Sequence, residues 1–101
     1  MSTDVIDTGR LLTRELRALQ LHLVNLDRQT VTVAEFLGAR PTAHGIDFPR
    51  LDRILANAQK VQRQKPGALF EFEAGNNSLD QVVSDFAEVL ASAEPYRRVE
   101  G

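Results

Sequence analysis

The 101-residue chain contains no cysteine and no tryptophan, and only one methionine and one tyrosine. Without a thiol there is no disulfide framework, no thiolate metal site, no iron–sulfur cluster and no cysteine nucleophile. No apolar run approaches the length that crosses a bilayer, and the opening Met1-Ser2-Thr3-Asp4 lacks the basic start and apolar stretch of a signal peptide, so a cytoplasmic location is expected. Glycine-rich phosphate loops, the nucleophile elbow and zinc-ligand spacings are also missing.

The residues that could still support catalysis are few. His22 falls at the margin of a helical apolar face, and His44 lies three residues before Asp47. One His–Asp pair lacks the third group that zinc or base catalysis needs, and Asp47 reads first as a helix cap. Glu71 and Glu73 alternate with phenylalanines, which places both carboxylates on the wet side of an extended segment. No enzymatic activity, cofactor or metal is therefore expected.

What the chain does have is a ladder. Leu12, Leu16, Leu19, Leu23 and Leu26 recur at spacings of four, three, four and three, which on a helix forms one narrow stripe that a second helix must cover. The helix carrying it is predicted from an Asp7 or Thr8 cap to about Arg28. Thr30-Val31-Thr32-Val33 reads as a short strand or, preferably, as the start of a short helix from the Thr32–Glu35 capping box through Leu37, closed by Gly38. After a loop over 40–45, Asp47 caps a second long helix with Pro49 in its first turn, which stops at Lys65-Pro66-Gly67.

Residues 68–73 alternate like a half-buried strand, able to pair with Thr30–Val33 or with the edge of another chain. Gly75-Asn76-Asn77 is expected as a turn. Ser78 and Gln81 then open a last helix that ends near Glu94, before Pro95. The predicted inner faces are Leu51, Ile54, Leu55, Ala58 and Val61 on the second long helix, and Leu79, Val82, Val83, Phe86, Leu90 and Ala93 on the third. With Phe36, Leu37 and Phe48 they suffice for a core walled by the ladder. The expected fold is mainly α: a compact three-helix bundle-like domain with a short extra helix and one or two short β-strands. The 43% apolar and 26% charged residues suit a single globular domain over 1–101, with 1–6 and 95–101 as loose ends.

A net charge of −2 conceals an uneven distribution: residues 1–29 hold four basic and four acidic side chains, 30–67 six and three, and 68–101 two and seven. Three surfaces follow. On the back of the ladder helix, Arg10, Arg14, Arg17, Leu21, Val24 and Arg28 share a stripe, and arginines around apolar side chains are the composition of a protein interface. On the second helix Arg50, Arg53, Asn57, Lys60 and Gln64 face outward, residue types that contact phosphates and base edges. The short 32–37 helix ahead of it evokes half a helix-turn-helix, but eight residues separate Gly38 from Asp47, where that motif allows three or four. Acidic Asp80, Asp85, Glu88 and Glu94 around the last helix could occupy a basic groove of a nucleic-acid enzyme.

The tail Tyr96-Arg97-Arg98-Val99-Glu100 resembles the Tyr-x-x-x-Asp/Glu export signal of the small WXG100-type substrates of type VII secretion. The match spans five residues of 101. Those proteins are helical hairpins around a Trp-x-Gly turn, whereas this chain offers Phe36-Leu37-Gly38 and interrupts its helices at Lys65-Pro66-Gly67, so membership is not assigned. The expected function is that of a small non-catalytic protein-binding module, an adaptor, assembly or secretion chaperone, or inhibitor of the kind phages also encode. Its partners would be a larger protein client and a second copy of itself. A helical nucleic-acid-binding regulator acting through the basic face of 50–64 is the alternative.

Overall fold

The computed structural model describes residues 3–36 and 46–99, with side chains described for 4–26 and 46–97. Helix α1 runs Thr3–Phe36, 34 residues or about 50 Å at the usual rise. It outruns the expected span at both ends. Thr8 does not cap it but faces inward at 8% exposure, and Val5 at 2% extends the buried stripe two turns beyond Leu12, so residues 3–6 are not a loose end. At the other end Thr30–Val33 is neither a strand nor a separate helix. No glycine or proline lies between Gly9 and Gly38, and weak local β-preference does not interrupt an established helix. Leu37, Gly38 and the 40–45 loop with His44 lie outside the described residues, as does the side chain of Phe36.

Helix α2, Phe48–Gln64, begins where its cap predicts: an Asp47 carboxylate oxygen accepts the Arg50 N–H at 3.1 Å, and Pro49 occupies the first turn, where a missing N–H costs nothing. Strand β1, Leu69–Phe72, buries Phe70, half-buries Phe72 and exposes Leu69 and Glu71. Its partner within the chain is not Thr30–Val33, which belongs to α1, but β2, Gly75–Ser78, paired antiparallel with Phe72 opposite Gly75 and Leu69 opposite Ser78. The turn expected at Gly75–Asn77 is instead Glu73-Ala74, with Glu73 in the left-handed region at φ 57°. That conformation is strained for a residue with a side chain.

Ser78 caps helix α3, Leu79–Ser92, by accepting the Gln81 N–H at 3.2 Å. The expected loose end after it is helix α4, Glu94–Val99, in whose first turn Pro95 is tolerated. Arg97 ties α4 down. It makes two bonds to the Asp52 carboxylate at 2.8 and 3.1 Å and lies 4.4 Å from the centre of the Phe48 ring.

One core joins these elements. Val5, Leu12, Leu16 and Leu19 of α1 pack with Phe48, Leu51, Ala58 and Val61 of α2 and with Leu79, Val82, Val83, Phe86 and Leu90 of α3. The hairpin closes the remaining flank by seating Phe70 on α1 at Gly9. A Cβ at Gly9 would lie 2.5 Å from ring atoms of Phe70, so the ring needs a position without a side chain. The fold is thus a helical bundle-like domain with a small two-stranded antiparallel sheet.

Candidate interaction surfaces

The hairpin divides the arginine stripe of α1. Arg10 Nε donates to the Glu71 carbonyl at 2.9 Å, which satisfies an outward-facing acceptor on the free edge of β1. Arg17 pairs with the Glu73 carboxylate and lies 5.2 Å from the centre of the Phe72 ring, clamping the strained turn. Arg10 and Arg17 therefore serve the fold, a role the helical wheel alone does not reveal. Arg14 is exposed and has no side-chain partner among the described residues. The side chain of Arg28 lies outside them.

Beyond the hairpin the same flank is open. Leu21 is 63% and Val24 47% exposed, the most exposed large apolar side chains of α1 among the described residues. Val24 also enters a shallow groove of about 390 Å³ lined by Leu23, Val24, Ser92, Pro95 and Tyr96. Its far wall is the α3–α4 corner, so Ser92, Pro95 and Tyr96 join a surface whose sequence signature pointed only to α1. The anchoring of Arg97 on Asp52 and Phe48 fixes that wall, and no local pattern announces this contact between residues 45 positions apart.

On α2 the expected basic face is only partly free. Arg50 leaves it, donating to both oxygens of Glu15 at 2.7 and 2.9 Å. Arg53, Asn57 and Lys60 are exposed and have no side-chain partner among the described residues. Asp4 and Asp7 of α1 border Asn57, Lys60 and Gln64 across a shallow depression.

The acidic residues do not form one unencumbered surface. A carboxylate oxygen of Asp80 accepts the Gly67 N–H at 3.2 Å, Asp85 accepts from the Gln81 amide at 2.9 Å, and Glu94 lies 3.2 Å from Arg97. Glu88 alone is exposed without a partner among the described residues. Glu71 is exposed on the outer face of β1. His22 lines a cavity of about 100 Å³ with Glu15, Ile46, Asp47 and Arg50 between α1 and α2. Among the described residues no cluster of three histidines or carboxylates is placed to hold a metal ion.

Three carboxylates titrate below their ordinary values because arginines hydrogen-bond their charged forms: Glu15 beside Arg50, Asp52 beside Arg97 and Glu73 beside Arg17. A folded value below the unfolded one stabilises the fold above the ordinary range of 3.8 to 4.5, and this stabilisation is lost as pH falls through the lowered values. The melting temperature is expected to be level from neutrality to about pH 5 and to decline below it. The decline should be shallower in high salt, because all three pairs are partly solvated. A melting temperature that rose on acidification would show that these pairs do not stabilise the fold.

Comparison with protein-family models, with curated proteins and with solved structures gives no match. No helix among the described residues is long and apolar enough to cross a membrane.

Proposed function

We propose that this chain is a non-catalytic, cytoplasmic protein-binding module whose contact surface is the open flank of α1 together with the α3–α4 corner. The observation that carries the reading is the exposure of Leu21 and Val24 beside the Leu23–Tyr96 groove. The hairpin engages Arg10 and Arg17 and leaves these apolar side chains in water. Apolar contact area edged by Arg14 matches the anatomy of protein interfaces, where a few buried apolar and arginine anchors carry most of the affinity. Adaptor, assembly or secretion chaperone and inhibitor roles all use such a surface, with a larger client protein or a second copy of this chain as occupant.

The test is the double substitution Leu21→Ser, Val24→Ser. Both side chains are largely exposed, so the melting temperature should stay within a few degrees of wild type. Self-association followed by light scattering over a concentration series, and capture of a client from the native cell, should both weaken at least tenfold. Unchanged association in a folded double variant would reject this surface.

A further inference from the structure

The structure leaves one surface that the α1 contact does not use. From Arg53 to Lys65 the chain carries four basic and no acidic side chains, and this stretch forms most of α2 and its C-terminal cap. Arg53, Asn57, Lys60 and Gln64 recur at spacings of four, three and four along its outward side, covering about 16 Å of helix, with Arg63 one step around. All five are exposed, and none has a side-chain partner among the described residues. Asp52, the last acidic residue before this stretch, is neutralised by Arg97.

We infer that this face of α2 binds the phosphate backbone of duplex DNA. Cations alternating with amides at helical spacing match backbone contact, with Asn57 and Gln64 donating beside Arg53 and Lys60. The other polyanions fit less well. An anionic membrane needs large apolar side chains to insert, and Ala56 is the only exposed apolar residue of α2 besides Pro49. A protein interface needs an apolar or aromatic centre, which the face also lacks. Single-stranded nucleic acid is held by stacking on aromatic rings, and the only aromatic residue of α2 is Phe48, which is buried. The overall charge of −2 does not forbid the contact, because in salt the field is set by charges within about 10 Å. Asp4 and Asp7 border the face across the depression they share with Asn57, Lys60 and Gln64, and Asp52, next to Arg53, is paired with Arg97.

The experiment measures fluorescence anisotropy of a labelled 20-base-pair DNA duplex between 25 and 200 mM salt, with the intact chain. Binding should weaken with salt at a log–log slope of about −3, one unit for each of Arg53, Lys60 and Arg63. R53E combined with K60E should reduce affinity at least tenfold and flatten the slope by about 2, with an unchanged circular-dichroism melt. D4N combined with D7N should tighten binding. Leu21→Ser, Val24→Ser should leave it unaltered, which separates this site from the α1 surface. No binding at 25 mM salt, or binding insensitive to R53E and K60E, would overturn the inference. Tighter binding to single strands or duplex RNA, or equal competition by polyglutamate at matched charge, would likewise overturn it in favour of another polyanion.

Discussion

Gly9→Ala is expected to destabilise the domain, against the usual direction for a glycine within a helix. Alanine in an ordinary helical position gains up to about 1 kcal/mol over glycine. At Gly9 the new methyl group would lie 2.5 Å from the Phe70 ring, inside any van der Waals contact. Forcing a methyl group into a filled core typically costs 1 to 3 kcal/mol, and contacts this short belong in the upper part, about 2 to 3, so a net loss of about 1 to 2 kcal/mol remains after the helical gain. For a domain of about this size that lowers the melting temperature by about 5 to 15 °C. Heat or urea unfolding of the single variant decides the matter. A more stable variant would mean that the hairpin does not seat on α1 at this turn.

Phe70→Ala is expected to have the larger effect. Phe70 is 2% exposed and is the buried side chain by which the hairpin grips the helices. Its truncation should cost about 3 to 5 kcal/mol, a large share of the 5 to 15 kcal/mol that holds a domain of this size together. The two sites should also be strongly coupled. Once the ring is gone, the methyl group introduced by Gly9→Ala has room, and that substitution should become neutral or stabilising by up to about 1 kcal/mol. This reversal of sign between backgrounds, measured as urea midpoints of the four proteins, tests the seating directly. Additive effects would argue against it.

The sequence made α2 and α3 legible because their signals are local. Asp47 and Ser78 are caps three residues before the N–H groups they accept, and Lys65-Pro66-Gly67 stops a helix through its own backbone chemistry. The misreadings share the opposite property. Asp7 and Thr8 look like caps, but the burial of Val5 by the rest of the core draws the helix back to Thr3. Gly75-Asn76-Asn77 has turn composition, yet the turn falls at Glu73, held by Arg17 from 56 residues away. Pro95 can end one helix or open another, and the Arg97–Asp52 contact decides for the second.

The candidate surfaces divide in the same way. Helical spacing correctly places Arg10, Arg14, Arg17, Leu21 and Val24 on one side of α1. It cannot show that the hairpin takes Arg10 and Arg17 while leaving Leu21 and Val24 in water. On α2, likewise, the outward stripe is legible, but the withdrawal of Arg50 to Glu15 is a tertiary event. The wall supplied by Tyr96 and Pro95 depends on where α4 docks and has no counterpart in the local pattern.

The order of the elements along the chain also governs how the domain comes to be assembled. The leucine ladder of α1 is synthesised first, but two of its covers, β1 and α3, arrive after residue 68. Until α3 is complete at Ser92, Phe86 and Leu90 are not in place and the leucines have only α2 against them. A nascent chain must carry this stripe only half covered until α3 emerges, and any product cut before α3 would present its uncovered flank to other exposed apolar surfaces in the cell.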